Sequence, residues 1–253
     1  MSRNFELLDQ LHKTQEMLHT DSEPVVGTVF PPEAFTAAVP ALEIDQVTRG
    51  EISKLVHRLF LAPGTDAPHH VVFTSPESGN GCSWICARVA EILASQVTSS
   101  VCIVDCSLRA PSLHEQFKVT NHYGLTDALI GDGPIRQYAQ QLCRPNLWLL
   151  SNGAENNSSQ ELLTSGRMRM RIAELRSEFN YVLMDVAPFN VCNDAMVFGG
   201  QSDGVVLVLK ANSTRRDATR EITQQLQAAN IRTLGAVLNQ RTFPIPENIY
   251  NRL

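Results

Sequence analysis

Three stretches of this sequence carry residues whose types and spacing could do chemistry, and all three concern phosphate or a divalent cation. The run HVVFTS, residues 70–75, opens into SPESGNGCSW and then into a helical pattern. A strand, a glycine turn and a helix start in that order form an anion site. The first-turn N–H groups lack partners, and the positive end of the helix dipole faces the turn. Gly79 and Gly81, flanking Asn80, would let the backbone approach a phosphate, and Ser83 stands where a loop hydroxyl meets Mg²⁺. Between Gly81 and Ser83 such loops carry a Lys that reaches the β/γ-phosphates; here the residue is Cys82. Trp84 replaces a small hydroxyl residue, and Glu77 adds a negative charge beside the phosphate position. A glycine turn ahead of a helix, with no ligand at all, is the bland alternative.

The other two stretches are VCIVDC and YVLMDV, apolar runs that end in Asp105 and Asp185. Carboxylates at such exposed strand ends suit Mg²⁺ ligation and water positioning, so both are candidate catalytic groups. Together with Ser83 they are the candidate metal set. A strand-end Asp also serves as a helix cap or a turn residue. Six cysteines, at 82, 86, 102, 106, 143 and 192, include two C-x-x-x-C pairs. Cys102 and Cys106 share one strand, which places their Cα atoms roughly 13 Å apart, too far for one zinc. Reduced, buried thiols are the expectation. Cys82, at a helix start that would lower its pKa, could form a redox pair with Cys106.

The elements that must position these groups follow from periodicity. Short β-rich runs at His70–Ser75, Val101–Asp105, Leu147–Leu150, Tyr181–Asp185, Gly204–Lys210 and Leu234–Asn239 alternate with helical patterns at Ser83–Gln96, Gln160–Ser177 and Arg215–Ala229. That alternation predicts βαβ units, a mostly parallel sheet flanked by helices, and ligands at the carboxyl ends of the strands. Ahead of it, Glu43–Leu61 reads as a helix, Ser22–Pro40 as a Pro-rich linker and Asn4–Leu18 as a short amphipathic helix. The division is an N-terminal arm, 1–42, and an α/β domain, 43–253.

Composition narrows the classes. A chain of 253 residues with 43% hydrophobic and 19% charged residues buries a large core, which excludes wholesale disorder. A net charge of −5 disfavours a basic nucleic-acid binder. No apolar run approaches the ~20 residues of a membrane span. Met1–Gln10 has no signal-peptide pattern, so the cytoplasm is the expected compartment.

From about Glu51 to Leu253 the sequence resembles the bacterial tyrosine kinases, cytoplasmic autokinases of capsule and exopolysaccharide export within the MinD/ParA-like branch of P-loop proteins. SPESGNGCS resembles the Walker A loop of that family, and VDCSLRAPSLH its Walker A′ segment through Leu108, Arg109, Pro111, Ser112, Leu113 and His114. MDVAPFNVCNDA resembles Walker B, and QELLTSGRM the segment before the penultimate helix. The resemblance implies a three-layer P-loop NTPase-like fold and an ATP/ADP–Mg site at Gly79, Asn80, Gly81, Cys82, Ser83, Trp84 and Arg109. It also implies a membrane co-polymerase (chain-length) protein as partner, and homo-oligomers. Departures cluster in the catalytic parts: Cys82 for Lys, Ser107 for the second Asp, Ala187 for a Pro, and Tyr250 as the one tyrosine of the tail. The oligomerisation motif has a loose counterpart in Glu51, Lys54 and Arg58. The expectation is a degenerate ATP site with a regulatory role. The alternatives are an active autokinase, with Arg109 or a neighbouring subunit's Arg replacing the Lys, and a MinD/ParA-type adaptor.

Overall fold

The computed structural model describes residues 44–63, 67–153 and 165–241. The arm, the start of the helical pattern at 160–164 and the tail with Tyr250 lie outside the described residues. Seven strands form one sheet in the order β3-β4-β2-β5-β1-β6-β7. They are β1 His70–Thr74, β2 Val101–Asp105, β3 Gln140–Gln141, β4 Leu147–Leu150, β5 Tyr181–Asp185, β6 Gly204–Lys210 and β7 Thr233–Asn239. Every pairing is parallel except β3 with β4.

The helices are α1 Gln46–Phe60, α2 Cys82–Gln96, α3 Leu113–Phe117, α4 Leu125–Ile130, α5 Gly166–Glu178, α6 Asp194–Gly199 and α7 Arg216–Ala228. A 3₁₀ turn spans Ile135–Tyr138. The strands and long helices agree with the sequence pattern to within a few residues. The pattern does not reveal α3, α4, α6 or the edge strand β3, because five or six residues are too few to display a 3.6-residue period.

β1 and β2 are buried along their whole length, so they read as continuous apolar runs rather than alternating ones. Two cores result. One face packs Val72, Val104, Met184 and Leu207 under α4, α5 and α7. The other packs Val71, Phe73, Ile103 and Leu183 under α1 and α2. α1 is capped by the Asp45 carboxylate, which accepts from the Thr48 N–H at 2.9 Å. It inserts Ile52, Val56 and Phe60 into the second core. The Phe60 ring meets Tyr181 edge-to-face at 5.9 Å.

α1 is therefore an integral layer of the domain. Phe60→Ala should cost about 3–5 kcal/mol in urea unfolding, because a buried aromatic leaves a cavity and an edge-to-face pair is lost. Val47→Ala, at a position 62% exposed, should change stability by less than about 0.5 kcal/mol.

Candidate functional site

The strand order brings the three chemistry-bearing stretches together. β2, β5 and β1 are neighbours, so Asp105, Asp185 and the loop after Thr74 share one sheet edge at the carboxyl ends of the strands. Asp105 and Asp185 are directly paired in the parallel register.

The loop is held from both sides. The Thr74 hydroxyl donates to the Ala187 carbonyl at 3.0 Å, and the Phe189 and Asn190 N–H groups donate to the carbonyls of Ser75 and Pro76. On the far side, buried Asn80 donates from Nδ2 to the Val208 carbonyl and to Thr214 Oγ1, both at 3.3 Å. The Asn239 amide, at the end of β7, donates to the Asn80 carbonyl at 2.9 Å.

Gly81 precedes α2 in the left-handed region, φ 80° and ψ 30°. A Cβ there would be strained, and it would also collide with the Asn239 side-chain amide. α2 has no side-chain cap, so the N–H groups of Cys82, Ser83 and Trp84 face the loop without intrahelical partners. The glycine turn and the uncapped helix start that the sequence pattern implies are present. The clamp of Asn80, Thr214 and Asn239 has only a faint sequence signal, an Asn at the end of the last strand.

Both carboxylates are buried, Asp105 at 0% and Asp185 at 1% exposure, contrary to the exposure expected of strand ends. The segment after β2 folds back over Asp105, and Asp185 lies against Cys82 and Ser83 at the start of α2. Asp105 Oδ1 accepts from the Ser107 N–H at 3.1 Å, and Oδ2 from the N–H groups of Ser112 and Leu113 at 3.0 Å. Asp105 thus also does the capping work of a turn residue. Burial still raises its pKa, opposed by those three bonds. Asp185 Oδ2 has no hydrogen-bond partner. Burial first, and then the charge of Asp105, push Asp185 up to about 7 against the pull of the Ser83 hydroxyl and Cys82 thiol.

A buried carboxylate oxygen with no partner, beside a serine hydroxyl and a second carboxylate, is a hard oxygen-donor set that fits Mg²⁺. The uncapped helix start fits a phosphate.

Cys82 and Cys106 do not have the depressed pKa of a reactive pair. Burial and then Asp185 push the Cys82 thiol well above the ordinary value, and burial, then Asp105 and Asp185, do the same to Cys106. Trp84 is half-buried on the α2 face, with the Arg88 guanidinium 5.2 Å from its ring centre. Arg109 is exposed.

No protein-family model matches the chain. Among curated proteins, the tyrosine-protein kinase YwqD of Bacillus subtilis is 30% identical over 169 residues, 67% of this chain and 71% of that one. The chain belongs to the bacterial tyrosine-kinase family. A longer family relative, the putative tyrosine-protein kinase EpsB of Ralstonia nicotianae, is 30% identical, but the match spans only 22% of its length.

Solved structures of the family agree in fold. The chimerical protein CapA2B2 superposes with a TM-score of 0.70 and 26% identity, covering 77% of this chain and 85% of that one. The kinase domain of Escherichia coli ETK gives 0.69 at 21% identity, covering 78% of each chain. A Mg-ADP complex of the septum site-determining protein MinD from Pyrococcus horikoshii gives 0.58 at 20%, over 72% and 76%. The sheet is that of the P-loop NTPases, as the sequence implies.

The buried pair predicts a pH effect. A carboxyl raised to about 7 favours the neutral form in the fold, so its contribution is present below about pH 4 and lost as pH rises through 7. Asp185→Asn should therefore be more stable than wild type at pH 8, by up to about 4 kcal/mol, and indistinguishable near pH 4. Asp105→Asn should be destabilised by about 1–3 kcal/mol, because an amide nitrogen would face a backbone N–H. Thermal unfolding of the three proteins between pH 4 and 8 reads both effects.

Proposed function

We propose that this chain is a cytoplasmic bacterial-tyrosine-kinase-type P-loop protein of exopolysaccharide synthesis or export, with a weakened Mg-ATP site and a regulatory role. The observation that carries the reading is a phosphate cradle kept in shape while its cation is gone. Gly81 and the uncapped start of α2 remain, and Cys82 stands where the Lys would reach over the loop. The N–H groups of Cys82, Ser83 and Trp84 would hold phosphate oxygens, and Ser83, Asp105 and Asp185 would hold Mg²⁺. Mg²⁺ held there would supply positive charge that offsets the two carboxylates and the phosphate.

The missing ammonium costs one charge-assisted contact, ~1.5–3 kcal/mol, or roughly 10–100-fold in affinity. Phosphoryl transfer depends on stabilising developing charge, so catalysis falls further than binding. Arg109, the candidate replacement, is exposed, which favours the regulatory reading over an active autokinase. The fold likeness to MinD leaves an adaptor ATPase as a weaker alternative. A membrane co-polymerase protein and homo-oligomers are the partners this reading expects. No helix among the described residues is long and apolar enough to cross a membrane.

Two measurements test the reading. With Trp148→Phe as background, Trp84 fluorescence should show Cys82→Lys tightening Mg-ATP binding at least tenfold. An unchanged affinity in a folded variant would mean the loop does not lie over phosphate. Incubation of the wild-type chain with Mg-ATP should leave little phosphotyrosine by mass spectrometry; stoichiometric phosphate on Tyr250 would favour the active kinase instead.

A further inference from the structure

Charge along the chain is uneven. Residues 204–241 hold six Lys or Arg against two Asp or Glu, in a chain whose net charge is −5. Three of those cations converge on one feature. Between α7 and the last two strands lies an open groove of about 740 Å³, floored by Leu209 and Leu238 and lined by Lys210, Arg216 and Arg220, with no carboxylate in its lining. Asp217 and Glu221 follow Arg216 and Arg220 in sequence but do not line the groove. None of the three cations forms an ion pair with a described residue.

The groove borders an open sheet edge. β7 is the last strand of the sheet among the described residues, so one row of its backbone N–H and C=O groups has no strand partner there. Leu238, on that strand, is 57% exposed. An apolar floor rimmed by unpaired cations beside an unpaired strand selects a specific ligand shape. An extended chain adding to the edge would place alternate side chains on the groove side, where the rim cations require them to be acidic, and turn the others to the opposite sheet face beside Val237. A flat anionic membrane surface would reach the rim cations but would leave the backbone groups of the β7 edge without strand partners. The groove is also joined to the phosphate loop, since Thr214, another lining residue, shares its hydroxyl with Asn80 and with the Lys210 N–H at 2.8 Å.

We propose that this groove and the β7 edge form the docking site for an acidic, extended segment of a partner protein, in which carboxylates alternate with apolar residues. The site needs no nucleotide, so it stands or falls apart from the function proposed above.

The test uses the full chain and a fluorescein-labelled peptide of alternating Glu and Val, about seven residues long to match a strand of ordinary length, read by anisotropy in low salt. The peptide should bind saturably, at least tenfold more tightly than its Lys/Val counterpart. The exposed double variant R216E/R220E, folded by circular dichroism, should lose at least tenfold in affinity. Leu238→Glu should also weaken binding, whereas a surface change off the groove, Met170→Glu, should not. Equal binding by wild type and R216E/R220E, or no binding of the acidic peptide at millimolar concentration, would overturn the proposal. So would two other results: phosphatidylglycerol vesicles binding through Arg216 and Arg220 when the peptide does not, which assigns the groove to a lipid surface, or a wild-type dimer that R216E/R220E dissociates, which assigns it to a second copy.

Discussion

Asp105 and Asp185 end two hydrogen-bonded parallel strands at the same register, and both are buried. Two like charges in that position repel, and little water reaches them. The fold accommodates one by turning three backbone N–H groups onto Asp105. It leaves the other short of partners, with Asp185 raised to about 7 and Oδ2 unbonded. The segment after β2, the start of α3 and the side chains of Cys82 and Ser83 are all arranged around this pair. An apolar pair at these positions would be better for stability alone, and the proposed function gives the two carboxylates a cation to hold.

The phosphate loop depends on the same sheet edge. It leaves β1 beside Asp185 and is clamped from the other side by β6 and β7 through Asn80 and Asn239. That clamp fixes Gly81 in the left-handed region and so sets the direction in which α2 starts. The substitution of Cys82 removes a charge from this frame without disturbing it. A small side chain fits the same helix start, and the proposed function rests on that frame without the Lys charge.

Much of this is legible in the residues. Val101–Asp105 and Tyr181–Asp185 are apolar runs long enough to be strands, and the alternation of strands with helices is enough to assign their terminal Asp residues to the ligand end of a parallel sheet. The burial of those Asp residues is not legible, because it depends on how residues 106–112 fold back over Asp105 and how the start of α2 lies against Asp185, a matter of tertiary contact rather than period. The same limit hides α3, α4 and α6, which are single turns or little more. Arg109 shows a different limit. Its motif is intact in sequence, yet its side chain is exposed, because spacing along a chain does not fix the direction of a long side chain.

The most direct test of the account is a calorimetric titration of the wild-type chain with ADP, once with Mg²⁺ and once with a chelator. A cradle that has lost its lysine but kept its carboxylate pair should bind Mg-ADP weakly, with Kd on the order of 100 µM, and should show no saturable heat without the metal. Binding that is equally tight with the chelator present, or no binding of Mg-ADP at millimolar concentration, would contradict a cation site built on Asp105 and Asp185.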